Sequence, residues 1–288
     1  MTVNVPASIT GPVEELAALD PLADWAQGVA GAIYPVGSLR RDLASGRPLG
    51  HPLHPLLTDV VIGSWVSAAF VDLFGGTPGA RSARRLVGLG VLAAGPTALA
   101  GVADWMDLDG GERRLGAAHA LGNVTALSLF AASWLARARG RRGSGVVLSL
   151  LGLGVASASA WFGGHLAYRR GIGVNRTAFD AIPARWQDVA DEGDLAEGKL
   201  VGASAGGIGI LVVREGRTIH AMDDRCAHLG CPLHKGKLQD GVVVCPCHGS
   251  AFALDGTVVH GPATADQPSL EARVRDGKVQ VRRRGGRS

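Results

Sequence analysis

The chain has 288 residues, of which 47% are hydrophobic and only 19% charged, with a formal net charge of +4. That balance is shifted away from an ordinary soluble domain, and much of the positive charge sits on arginines at the ends of apolar runs and in the C-terminal VRRRGGR. No basic helix or aromatic-interleaved patch accompanies them, so nucleic acid is excluded as the expected partner and membrane lipid takes its place.

The first 47 residues begin without a basic start or an apolar core, unlike a cleavable signal peptide. Within them Leu22, Trp25, Val29 and Ile33 recur at helical spacing, the pattern of a short interfacial helix or of a helix packed on a bundle. A membrane domain is expected over 48–176. Its four nearly uncharged runs, roughly Leu56 to Phe74, Leu86 to Ala103, Leu115 to Leu135 and Gly145 to Gly164, each approach the ~20 residues that cross hydrocarbon. Their Gly, Ala and Ser content suits close helix approach in lipid, whereas a soluble bundle needs polar faces these runs lack. The sequence GHPLHPLLTDVVIGSW, with ADWMD and GGHLAYRRGIGV, resembles a bacterial four-span domain of uncharacterised function marked by a His-Pro-x-His-Pro signature.

Four spans put the N-terminus, the DLDGGERR loop and the C-terminal half on one side. The arginines near the spans then divide as 40, 41, 47, 113, 114, 169, 170 and 176 against 81, 84, 85, 137, 139, 141 and 142. The second set lies in shorter loops, which leans toward that side being cytoplasmic. A multi-pass protein of the bacterial cell membrane is expected, with the C-terminal domain on the extracytoplasmic side.

After AYRRGIGVNR the character changes. ILVV, TIHAM, GVVV and KVQVRRR are short, β-branched and bounded by Gly, Asp or Asn, which predicts a small all-β domain of antiparallel sheets over 179–285, behind an all-α four-helix transmembrane bundle. All four cysteines fall here, in Cys226-Ala-His228-Leu-Gly-Cys231 and Cys245-Pro-Cys247-His248-Gly-Ser250. As C-x-H and C-x-x-H, two loops each give one thiolate and one imidazole, a set that suits a 2Fe-2S cluster with sulfur on one iron and nitrogen on the other. The ligands are then Cys226, His228, Cys245 and His248. Cys231 and Cys247 are left over on loops pinned to one site, close enough for a disulfide between them. A zinc site from the same residues lacks the usual C-x2-4-C and H-x3-5-H pairing. His234 and His260 have no slot, and His220 reads as a packing residue.

These motifs closely resemble the Rieske iron-sulfur family, in particular its disulfide-containing branch found in cytochrome bc complexes, over roughly Phe179 to Arg284. The resemblance implies that Gly261-Pro262-Ala263 is a proline loop over the cluster and that Ser250 donates a hydrogen bond to a bridging sulfide. Where that branch often has a Tyr donating to a cysteine sulfur, this chain has Phe252, which implies a potential below the top of the range.

His51, His54, His119 and His165, with Asp59 and Asp104, are expected near one face of the spans. Ionisable groups inside a membrane boundary point to function. Three readings stay open: haem b ligation by facing imidazoles, a quinone pocket, or residues that merely reach the headgroup layer. The chain reads as a membrane-anchored, one-electron component rather than a complete enzyme, exchanging electrons with a quinol, a cytochrome or another redox protein. The alternative is a redox-sensing or haem- or metal-handling membrane protein without steady electron flux.

Overall fold

The computed structural model describes residues 5–284. The chain divides into two compact units, one made of the segment up to Ile33 with Leu53–Ile172, the other of Tyr34–Pro52 with Gly173 onward.

In the first unit, α1 (Val5–Glu14) and α2 (Asp20–Ile33) precede four long helices: α4 (Leu53–Phe74), α5 (Ala80–Trp105), α6 (Gly110–Ala138) and α7 (Arg142–Gly164). Each is long and apolar enough to cross a membrane, and in their most apolar stretches only 22–28% of residues are buried. The outward faces are therefore themselves apolar, as in Phe74, Leu92 and Leu151, which is how a bundle solvated by lipid differs from one solvated by water. The helices start and end a few residues outside the apolar runs, because backbone hydrogen bonding continues into the polar flanks.

On α2 the row Leu22, Trp25, Val29 and Ile33 is exposed. The opposite face is tied down: Asp20 accepts from Arg113 (2.9 Å) and Arg114 (2.6 Å), Asp24 pairs with Arg113, and Gln27 donates to the carbonyl of Leu108 (2.8 Å). The two arginine hydrogen bonds hold the Asp20 carboxyl down at about 2, against opposing desolvation.

Three paired layers run along α4 and α6. His54 faces His119 with ring centres 6.4 Å apart, Trp65 stacks on Phe130 at 3.9 Å, and Arg137 donates to Asp72 at 2.9 and 2.5 Å. Partners in every layer are 65 positions apart, the separation of Asp72 and Arg137. Glycines on the neighbouring helices make the room. A Cβ at Gly101 or Gly90 of α5 would lie 2.8 Å from His54 or 2.2 Å from Trp65. At Gly163 or Gly152 of α7 it would lie 2.9 Å from His119 or 3.0 Å from Phe130. The hairpin α6-α7 thus repeats the packing of α4-α5. One expectation is corrected here: Arg137 is not a loop arginine but 3% exposed within the bundle, held by Asp72, Ser133 and Ser149. A charge this deep persists only when paired and hydrogen-bonded.

In the second unit α3 (Leu39–Ser45) is capped by Ser38, whose hydroxyl accepts from the Arg41 amide. Ten antiparallel strands follow. The larger sheet has the order β1 (Gln187–Asp191), β10 (Lys278–Arg283), β9 (Ser269–Arg275), β4 (Thr218–Asp223), β3 (Ile208–Glu215), β2 (Val201–Ala205). The smaller has β5 (Lys237–Gln239), β6 (Val242–Val244), β7 (Ala251–Ala253) and β8 (Val258–His260). The apolar run on β3 splits by the two-residue period of a strand. Ile210 and Val212 pack with Leu270, Val279 and Val281, while Leu211 and Val213 pack with Met222, Phe252, Cys226 and Cys245. The second of these cores is the floor of the cysteine-bearing loops.

Candidate metal centre

Two loops carry the chemistry, one joining β4 to β5 and one joining β6 to β7. Each folds back on its cysteine in the same way. Cys226 N–H donates to the carbonyl of Cys231 (2.9 Å) and Gly230 N–H to that of Cys226 (2.8 Å). Cys245 N–H donates to the carbonyl of Ser250 (2.8 Å) and Gly249 N–H to that of Cys245 (3.2 Å). Both turns close through a left-handed residue, Gly230 at φ 82° and Gly249 at φ 78°, which is why glycine follows the histidine in each motif.

Cys231 and Cys247 form a disulfide that ties the loops together, with Cα atoms 6.4 Å apart. Cys226 and Cys245 lie outside the disulfide and are buried. The Cys245 sulfur, then burial, push the Cys226 thiol well above its usual range. Two thiolates side by side in this core therefore require a cation between them, which is what iron supplies. His228 and His248 meet edge to face, 5.1 Å between ring centres. Burial, then the neighbouring His248 and the Arg41 and Arg176 charges, hold His228 down at about 3, so it is neutral, the form that ligates metal. Soft sulfur on one side and imidazole on the other fit a cluster.

The surroundings brace these loops. Gln267, 2% exposed, donates to the carbonyls of Asp223 and Arg225 (2.7 Å each) and accepts from Ala227 N–H (3.1 Å). Ser250 is fully buried, accepts from Ala263 N–H (3.0 Å) and is hydrogen-bonded to the Cys226 sulfur. Its single proton is thus directed at the sulfur side. Pro262, after a cis peptide bond, sits between Gly261 and Ala263 in the third loop. Phe252 is fully buried in the floor. From far back in the chain, Asp42 of α3 accepts from Gly261 N–H (2.8 Å) and pairs with His260 (3.0 Å) and Arg47 (3.1 Å). Nothing in the local sequence marks Asp42 or Gln267; only contacts across 219 and 44 positions reveal them.

His234 is bonded to Asp224 (2.6 Å), and His220 lies 3.6 Å from Glu215. The membrane histidines have different surroundings. Among the described residues His54 and His119 meet. His165 lies 4.0 Å from Glu14 and beside Trp161, and His51 is exposed, its Nδ1 3.1 Å from the Pro52 carbonyl. Asp59 faces outward from α4, and Asp104 lies near the end of α5. Helical phase sets these outcomes: residues at one depth on different faces do not converge.

A family model described as Rieske [2Fe-2S] domain matches residues 185–271, and one described as Predicted membrane protein (DUF2231) matches residues 50–176. The cytochrome b6-f complex iron-sulfur subunit of Chlorobaculum tepidum is 33% identical over 72 residues, 25% of this chain and 39% of that protein. The carotenoid phi-ring synthase of the same organism is 41% identical over 76 residues, 26% of this chain and 12% of that protein. The cytochrome b6-f complex iron-sulfur subunit 3 of a Nostoc species is 38% identical over 84 residues, 28% of this chain and 47% of that protein. The chain spans less than half the length of each of these relatives. The chain carries a Rieske [2Fe-2S] electron-transfer domain joined to a multi-pass DUF2231 membrane domain.

Proposed function

We propose that the chain is a membrane-anchored electron carrier in which Cys226 and Cys245 hold one iron of the cluster and His228 and His248 the other. The observation that carries this reading is the sorting of donors: two buried thiols in mutual contact, two imidazoles 5.1 Å apart, and a disulfide joining the loops that bear them. When bound, the cluster supplies a one-electron couple. The chain sets its surroundings. Ser250 directs a hydroxyl toward the sulfur side, the Pro262 loop covers the centre, and Gln267 and Asp42 keep both loops from shifting. The outer nitrogens of His228 and His248 are the groups available to exchange protons as the electron count changes.

The partners are a quinol in the membrane and a cytochrome or other redox protein beyond it, in keeping with the b6-f complex subunits this domain is similar to. The membrane unit handles electrons as well, through haem or quinol at its histidines. An extracytoplasmic Rieske domain is favoured. The disulfide suits an oxidising compartment, and the arginines of 81–85 and 139–142 remain at the helix ends of one side after Arg137 is withdrawn into the bundle.

Full-length protein in detergent, mixed anaerobically with a quinol analogue and then a cytochrome c acceptor, should show reduction and reoxidation of the cluster absorbance over repeated turnovers. A cluster that changes state once without sustained flux would support redox sensing instead. For sidedness, a cysteine placed at the exposed Glu215 should react with an impermeant reagent in intact cells; protection until lysis would reverse the orientation.

A further inference from the structure

The two hairpins of the membrane unit repeat one another, and the repeat brings one histidine from each to the same level. His54 on α4 donates through Nδ1 to the carbonyl of Thr97 on α5 (2.9 Å), and His119 on α6 through Nδ1 to the carbonyl of Ser159 on α7 (2.7 Å). A carbonyl only accepts, so both Nδ1 atoms carry the proton and each neutral ring keeps its lone pair at Nε2. Asn123, one turn on along α6, donates from its amide nitrogen to His119 Nε2 (3.0 Å), which fits that tautomer; a metal at Nε2 takes the place of this hydrogen bond. Gly101 and Gly163 keep the two rings flush against α5 and α7, since a Cβ at either would collide with the imidazole. This tautomer, fixed by a backbone carbonyl, is the one metal-ligating histidines adopt.

The spacing selects among ligands. With a metal–imidazole bond of about 2.0 Å and about 1.1 Å from nitrogen to ring centre, two imidazoles trans on one metal have centres about 6.2 Å apart. The observed value is 6.4 Å. A quinone held by both rings would need two hydrogen bonds of about 2.8 Å plus the span of its carbonyls, placing the centres roughly 12 Å apart. A bare ion needs further protein ligands, and among the described residues no third His, Cys, Asp or Glu joins the pair. A metal that brings four ligands of its own in a plane needs only two from the protein.

We infer that His54 and His119 are the axial ligands of a haem held between the repeated hairpins. Facing helices of a bundle are a natural place for such a cofactor, and this assignment rests on reading the membrane unit as electron-handling.

The test uses the full-length protein, both as purified and after incubation with ferric protoporphyrin IX. The expected result is one haem per chain with a low-spin, bis-imidazole optical and EPR signature. His54→Ala and His119→Ala should each lower haem content or affinity at least tenfold, while His51→Ala and His165→Ala keep it. The cluster signal, read in the same samples, should be unchanged throughout, so loss of haem is separable from failure of the Rieske domain. Absence of the low-spin species in the unaltered protein after incubation overturns the assignment without reference to any variant. So does haem retained undiminished in both His54→Ala and His119→Ala, or uptake of copper or zinc by the pair in preference to the porphyrin.

Discussion

Replacing Asp42 by alanine tests how the segment before the spans supports the cluster loops. The Asp42 side chain is 3% exposed, and its two oxygens accept from the Gly261 amide at 2.8 Å and His260 at 3.0 Å, with the Arg47 guanidinium in ion-pair range at 3.1 Å. Hydrogen bonds to a charged group contribute about 1.5–3 kcal/mol each, and a buried amide left without an acceptor costs about 1–3 kcal/mol. Arg47 and His260 are partly exposed, so their shares are discounted for solvent. The sum is about 3–4 kcal/mol, a factor of several hundred in the unfolding equilibrium of the second unit. Denaturant titration of the full-length protein, followed by the visible absorbance of the cluster, reads this directly, and the first-order rate of cluster release under chelator should rise in parallel. A change under about 0.5 kcal/mol, the range of ordinary surface substitutions, would refute the claim that Tyr34–Pro52 is part of the Rieske unit's architecture.

Changing Cys231 and Cys247 together to serine opens a loop of 16 positions, for which chain entropy gives about 3 kcal/mol of lost stability; an unchanged denaturation midpoint would show the loops to be held by other means. In the bundle, Asp72→Leu alone strands the Arg137 charge and should cost about 3–5 kcal/mol, whereas Asp72→Leu with Arg137→Leu should recover most of it. Thermal unfolding in one detergent distinguishes this from simple additivity. Burial pushes Asp223 up to about 7, with the Asp180 carboxyl beside it adding to the rise. Its protonated form is favoured by folding, so its contribution is complete below about 4 and is lost as pH rises through 7. Asp223→Asn should therefore flatten the decline in unfolding free energy between pH 5 and pH 8, and an identical decline in the variant would remove Asp223 as its cause.

The cluster segment was legible because its ligands are local: one thiol and one imidazole within three or four residues, closed by a glycine. The spans were legible because lipid imposes apolarity on every outward face. What could not be read depends on contacts between distant positions. Arg137 lies within RARGRR and looks like a loop charge, yet α6 continues through it and turns it onto Asp72. Residues 34–47 carry no β pattern and read as part of an N-terminal segment, but Asp42 reaches Gly261 across 219 positions. The hairpin repeat is hidden because its matched positions share size and role rather than identity, as with Trp65 and Phe130 or Thr97 and Ser159. The path of the chain sets the depth of each histidine, while azimuth around each helix, which decides who meets whom, is set by packing between distant helices.

The most direct measurement of the central claim is iron and acid-labile sulfide analysis of anaerobically purified full-length protein, combined with EPR through a reductive titration. Two irons and two sulfides per chain are predicted, with one electron taken up by a cluster carrying nitrogen ligation from His228 and His248. That nitrogen coupling should be reduced in His228→Cys or His248→Cys and lost when both are changed. Zinc in stoichiometric amount with no labile sulfide, or a cluster signal free of nitrogen coupling, would contradict the account.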